Sequence, residues 1–286
     1  AHFYRNVGTN LAPRYEDRGP LFTDGKPLRT PAAPVPEVAG PNGESIYKED
    51  YQPFVEVVDW DGDGDDDVLI GGYVTGRIFW YENTGRDAQG LPVLKFNGHL
   101  MADGKPLDVG WCANPTVADI DGDGDLDILT GVWRKWGNDS PPEVVEDFVA
   151  YFENIGTRTQ PKLAAGRQLT NRGNPIKMDL QMIVPVAIDW DKDGDHDLVV
   201  GDEDGRVALI EHTGEVVDRM PQFKAPVYFQ QQAEYVKCGA LISPVSFDWD
   251  GDGDEDMVCG NTAGYIEAIE NLGGSPPKWA APVKLE

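Results

Sequence analysis

The chain has 286 residues, with 50 acidic against 24 basic side chains and a formal charge of −26. That balance excludes nucleic acid and anionic membranes as partners, since both are held through basic patches. No apolar run approaches the length of a membrane span, which excludes membrane insertion, and the three cysteines, Cys112, Cys238 and Cys259, form no C-x-x-C pair and read as buried free thiols, with one disulfide and a leftover thiol as the alternative. In chain order, residues 2–8 (HFYRNVG) read as a strand with its turn, and Asp24-Gly25-Lys26-Pro27-Leu28 follows, a pentapeptide that recurs at 103–107. A stretch rich in Pro and Gly, 29–52, leads to a strand over 54–58, here called A. Next stands D-W-D-G-D-G-D-D-D at 59–67, then a strand B at Val68-Leu69-Ile70 that ends at Gly71. Strand C, 77–83, closes in Glu82-Asn83-Thr84-Gly85, where Asn and Gly suit positive φ, and a weaker strand D covers 93–96.

The same order returns three times. The nonapeptides D-I-D-G-D-G-D-L-D (119–127), D-W-D-K-D-G-D-H-D (189–197) and D-W-D-G-D-G-D-E-D (248–256) begin 60, 70 and 59 residues after one another. Strand A of each copy opens from a proline, Pro115, Pro185 or Pro244. Strand C returns at 148–154, 206–212 and 265–271, and strand D at 162–163, 227–229 and 283–285. Helical spacing over 143–152 competes with strand C of the second copy, and the repeat register favours the strand. A period near 60 residues suits a four-stranded propeller blade and is too long for a β-helix coil. The expected architecture is all-β, one β-propeller domain or segment over 1–286 with a partial repeat at 1–28 and full repeats near 53–107, 113–178, 183–236 and 242–286.

The spacing of the nonapeptides points to a hard cation. Ca²⁺ takes six to eight oxygens, and a tight loop aims alternate side chains at one centre. Candidate ligands are Asp59, Asp61, Asp63, Asp65 and Asp67 in the first loop and Asp119, Asp121, Asp123, Asp125 and Asp127 in the second. In the third they are Asp189, Asp191, Asp193, Asp195 and Asp197, and in the fourth Asp248, Asp250, Asp252, Asp254 and Asp256. Glycine at position 6 of every loop permits the sharp turn that brings the later residues back to the ion. An EF-hand needs a Glu at position 12 and a following helix. Position 12 here is Ile70, Thr130, Val200 or Cys259, inside an apolar run, so each loop is expected to be a β-hairpin site. The loops hold 22 of the 50 acidic residues, and four Ca²⁺ would bring the charge from −26 to −18. Trp60, Trp190 and Trp249, at loop position 2, read as packing residues, and His2, His99, His196 and His212 show no metal-ligand spacing.

The D-x-D-x-D-G-x-x-D loop, the glycine after strand B and the E-N-x-G end of strand C resemble FG-GAP or VCBS-type repeats. The resemblance covers nearly the whole chain. It implies a calcium-bearing propeller, in that family usually of seven or eight blades, with side chains at loop positions 1, 3, 5 and 9 as ligands and the carbonyl at position 7. The Gly-Ala-Pro of one subfamily is absent, replaced by Gly71-Gly72, Gly131-Val132, Gly201-Asp202 and Gly260-Asn261, which favours the bacterial VCBS type. Four full repeats and half of a fifth do not close a ring, so the remainder of a longer propeller or another chain is expected to complete it. The chain begins at Ala1 without Met, as a mature or excised chain would. Dependence on millimolar-scale Ca²⁺ places it outside the cell, as a secreted, periplasmic or cell-surface protein.

Two long insertions, 29–52 and the B–C connection of the second copy, fall on the face opposite the acidic loops. They carry Tyr47, Lys48 and Tyr51, and Trp133, Arg134, Lys135 and Trp136. Two indoles around two cations suit a sugar ring with a uronate carboxylate, so these seven residues are the candidate ligand-binding group. The expected function is a calcium-stabilised binding module for carbohydrate. The alternatives are a polysaccharide lyase or glycoside hydrolase, whose catalytic residues the spacing does not assign, and a protein-adhesion module.

Overall fold

The computed structural model describes residues 2–9, 13–30, 54–132, 148–178, 183–229, 243–274 and 277–285. Among them there are strands and turns but no helix, and so none long and apolar enough to cross a membrane. Four units follow one another, each a meander of four antiparallel strands. Strand A (Phe54–Val58, Pro115–Ala118, Val184–Ile188, Ser243–Phe247) pairs with strand B (Asp67–Gly71, Asp127–Val132, Asp197–Gly201, Asp256–Gly260). Strand B pairs with C (Ile78–Arg86, Phe148–Phe152, Val207–Ile210, Ile266–Ile269), and C with D (Pro92–His99, Arg167–Gln168, Val227–Tyr228, Val283–Lys284). Strand A lies at the sheet edge, where a missing N–H is tolerated, and Pro115, Pro185 and Pro244 sit inside it opposite Thr130, Val200 and Cys259.

Strand D corrects the sequence reading in one respect. It has two segments. One pairs beside the E-N-x-G end of strand C, as at Leu163 against Asn154. The other pairs with the start of strand C, as at Arg167–Gln168 against Ala150 and Tyr151. The expected segment 162–163 is the first and 227–229 and 283–285 are the second, because a break in register separates the two, seen in the first unit between Trp80 and Tyr81. The strand over 148–152 is confirmed, and residues 143–147 lie outside the described residues.

The apolar cores lie between units. Strand B alternates its side chains between two neighbours and is central in its sheet, so both faces are buried. Leu69, Ile78 and Trp60 of the first unit meet Ile128, Phe148 and Ala150 of the second. Leu129, Val149 and Tyr151 then meet Leu198, Val200 and Ile210 of the third, whose Val199 and Val207 meet Met257, Cys259 and Ile269 of the fourth. Cys112 and Cys259 are buried free thiols, as expected; Cys238 lies outside the described residues.

A second device joins the units at their outer edge. Phe22–Thr23 with Lys26–Pro27, and Met101–Ala102 with Lys105–Pro106, are small hairpins built on the D-G-K-P-L repeat. Both central residues have positive φ, 50° and 72° at Asp24-Gly25 and 49° and 72° at Asp103-Gly104. A third copy, which the sequence reading missed, is Thr170–Asn171 with Asn174–Pro175, turning at Arg172-Gly173. Each hairpin bridges in parallel to the next unit, Thr23 to Leu94, Ala102 to Leu163 and Thr170 to Gln222.

Candidate metal centre

Each acidic loop is the A–B hairpin of one unit. Aspartates at positions 3 and 5 accept the N–H two residues on: Asp123 N–H to Asp121 Oδ1 at 3.3 Å and Asp125 N–H to Asp123 Oδ1 at 3.1 Å in the second loop. The same bonds form in the other three loops. The glycine at position 6 stands at φ 95° to 100° and, in the last three loops, gives its N–H to the position-1 carboxylate. These turns gather one oxygen each from Asp59, Asp61 and Asp63, from Asp119, Asp121 and Asp123, and from Asp189, Asp191 and Asp193 within 4.8 Å of one another. In the fourth loop the group is Asp248, Asp250 and Asp256. Asp65, Asp125, Asp195, Asp252 and Asp254 are not members of these groups, nor are Asp67, Asp127 and Asp197.

Position 9 does something the sequence did not announce. Asp67, Asp127, Asp197 and Asp256 are buried at the head of strand B. One oxygen of each accepts the N–H of the second residue of the E-N-x-G stretch or its equivalent: Asn83, Asn154 and His212 at 2.7 Å and Asn271 at 2.8 Å. The other accepts Trp80 Nε1–H, Ile120 N–H with Tyr151 O–H, Trp190 N–H, or Trp249 N–H. These carboxylates tie the loop to strands B and C. Burial, partly offset by these hydrogen bonds, raises Asp67 and Asp197 to about 6 and Asp127 to about 7.

The donor set fits a hard cation. In the second and third loops Oδ1 of Asp119, Asp125, Asp189 and Asp195 is buried with no hydrogen-bond partner. Asp125 is 8% exposed, and its carboxyl is raised to about 6 by burial and then by repulsion from Asp123, Asp121, Asp119 and Glu153. Burial and then Asp63 raise Asp61, and burial and then Asp123 raise Asp121. The second oxygen of Asp119 and of Asp189 accepts a glycine N–H and that of Asp195 meets His212 Nδ1 at 2.7 Å, so the cost falls on the buried Oδ1 atoms, and a divalent ion among them would reverse it.

Neighbouring loops are also clasped to each other. Arg158, from the turn of the second unit, donates to the carbonyls of Asp59 and Trp60 and pairs with Asp59 Oδ2 at 3.1 Å. His196 Nδ1 stands 3.1 Å from the Asp119 carbonyl, which makes it the donor there. Lys192 Nζ donates to the Gly253 carbonyl at 2.8 Å. Lys192 departs from the glycine that the other three loops have at position 4, a signal legible in the sequence; His196, at a position that differs in every loop, and Arg158 carry none. The indole of Trp60 is buried, and Trp190 packs 5.3 Å from Phe229 and 5.9 Å from Trp279, in the packing role expected. Tyr47, Lys48, Tyr51, Trp133, Arg134, Lys135 and Trp136 lie outside the described residues.

The loop, strand B and the next unit's A–B hairpin form one continuous pattern. Residues 59–130 match the sequence model of the FG-GAP-like repeat. The match begins at the first acidic loop and ends within strand B of the second unit. No curated protein matches the chain. A solved structure of an Agrocybe aegerita lectin, described for specific recognition of non-reducing terminal N-acetylglucosamine, is similar over 81% of this chain at 15% identity with a TM-score of 0.33. The similarity spans 65% of that lectin's length.

Proposed function

We propose that the chain is a calcium-stabilised β-propeller segment, acting outside the cell as a binding module for carbohydrate. The observation that carries the calcium is the set of buried, partnerless oxygens on Asp119, Asp125, Asp189 and Asp195, at equivalent places in two loops of the same repeat. A bound Ca²⁺ supplies the charge that lets five carboxylates share nine residues. The chain's own side chains do the rest. Positions 1, 3 and 5 present oxygens, and position 9 locks the loop onto strands B and C. The propeller is supported by cores that lie between successive units, with each strand A beside the next. Carbohydrate is supported by the sequence of the two long insertions, and localisation by the millimolar Ca²⁺ found outside cells.

Thermal unfolding of the whole chain with and without EDTA, followed by Ca²⁺ add-back, tests the calcium. Ligand binding to the native state alone raises stability by about 2.7 kcal/mol per site at a hundredfold excess over Kd. The expected result is a loss of Tm of roughly ten degrees or more on chelation, recovered on add-back. Identical melts in EDTA and Ca²⁺ overturn it.

A further inference from the structure

Away from the acidic loops, the half unit at the N-terminus adjoins the first full unit. Two strands of the half unit, His2–Asn6 and Tyr15–Pro20, pair antiparallel there. Against them stands the tip of the first unit's C–D hairpin. Phe3, Arg5 and Arg18 on one side and Arg86, Gln89 and Leu91 on the other line a cleft of about 380 Å³.

The corresponding junction between the second and third units explains what is unusual here. In that junction the tip of the third unit's hairpin brings Arg219 onto Glu153, and Arg167 joins it at 3.0 Å, with Asp218 O accepting a further bond from Arg167. Glu153 is the acid of Glu153-Asn154-Ile155-Gly156, and it is buried. The half unit reads Arg5-Asn6-Val7-Gly8 at the same place, so an arginine stands where the other units have glutamate. The junction of the second and third units neutralises its cations; this one opposes Arg5 to Arg86.

Nearby acids do not restore the balance. Glu16 pairs with Arg18 at 2.7 Å, and Asp17 pairs with His2 at 3.3 Å. Asp87 is turned into its own hairpin, where it accepts the N–H groups of Gln89 and Leu91 at 2.8 and 2.9 Å. Arg86 is held by the Gly90 carbonyl at 3.4 Å, and Arg5 has no acceptor among the described residues. Two guanidiniums without carboxylates, in a chain of charge −26, face one cleft. Guanidinium matches a carboxylate or sulfate with two parallel hydrogen bonds. Phe3 and Leu91 add an apolar wall and Gln89 an amide, the mixture that suits a pyranose ring.

The geometry points to a binding site for an acidic saccharide, with Arg5 and Arg86 on its carboxylate or sulfate and Phe3 against its ring. The choice of a sugar rests on the carbohydrate reading above; the anion rests on the arginines alone. Isothermal titration calorimetry of the whole chain, with Ca²⁺ equal in all arms, tests it with digalacturonate, a neutral digalactoside and sodium sulfate. Digalacturonate is expected to bind about tenfold or more tighter than the neutral sugar, the scale of one charge-assisted hydrogen bond. Arg5→Glu and Arg86→Ala should each remove that preference, and Arg86→Lys should weaken it. Both arginines are exposed, so the variants should melt like the parent in Ca²⁺. Equal affinity for both sugars, no binding of either, or an isotherm unchanged by Arg5→Glu overturns the site. Sulfate binding as tightly as digalacturonate overturns the saccharide. Because the arginines touch no acidic loop, a failed EDTA melt and a failed titration are separate results.

Discussion

Gly131 and Gly260 hold the same place in the repeat, position 13 counted from the first aspartate of the loop, and they live in different surroundings. A Cβ on Gly131 would stand 1.8 Å from the Ile183 carbonyl oxygen of the next unit, and one on Gly71 would stand 1.9 Å from that of Ala113. On Gly260 a Cβ would meet nothing within 4 Å. The packing around the two places differs in the same sense. Trp60 and Ile120, at loop position 2, are buried against the following unit, whereas Trp249 is half-buried and packs on Phe247 of its own sheet at 5.4 Å. The glycine is therefore a junction residue. It lets the backbone that enters the next strand A lie directly on strand B.

This comparison can be broken by paired substitutions. Gly131→Ala should destabilise the chain by about 3 kcal/mol or more, because a backbone carbonyl must move, while Gly260→Ala should stay within about 0.5 kcal/mol. Urea unfolding in Ca²⁺ measures both. Equal costs would mean that the glycine serves strand B itself and not the junction.

Charge gives a second, smaller contrast. In the metal-free protein Asp67, Asp125 and Asp197 rise to about 6 and Asp127 to about 7, above the ordinary carboxylate value of 3.8. The folded chain therefore binds more protons than the unfolded chain between these values, and its stability falls as pH rises through 6 to 7. Chelated protein should be more stable at pH 5 than at pH 7.5, and added Ca²⁺ should stabilise more at the higher pH. Melts at the two pH values, with and without EDTA, check both signs; a chelated protein that gains stability with pH would show that these carboxylates are already paired.

Lys192→Gly should have the smallest effect. Lys192 stands at φ 63°, where the other three loops have glycine, and its ammonium reaches the Gly253 carbonyl of the next loop. Relief of the backbone and loss of an exposed hydrogen bond oppose each other, so the net change should be under about 1 kcal/mol. A larger loss in urea unfolding would make the link between the third and fourth loops a main support of that junction.

Much of this was legible beforehand because the signals are local. Strands A, B and C were found from apolar runs and from prolines and glycines in fixed phase. Strand D is only half legible, since its two segments pair with different parts of strand C and each is only a few residues long. The hairpin at 169–176 escaped notice because Arg172-Gly173 replaces Asp-Gly, although the backbone turn is the same. Arg158 was invisible, being an ordinary cation in a turn about a hundred residues from the loop it clasps. The cleft required knowing which hairpin tip lies on which neighbour, although Arg5 in place of glutamate was visible in the repeat.

By itself the sequence determined where cations can be held, because a nine-residue loop with alternating carboxylates and a glycine at position 6 carries its own geometry. It determined the order of strands for the same reason, since each is a run of a few residues bounded by turn signals. The tertiary structure alone decided what identical residues do. It buried Asp127 as the tie between loop and strands, pressed Gly131 against Ile183, left Gly260 open, and set Arg5 opposite Arg86. Burial and charge balance depend on which unit packs against which, and the residues that meet are tens of positions apart.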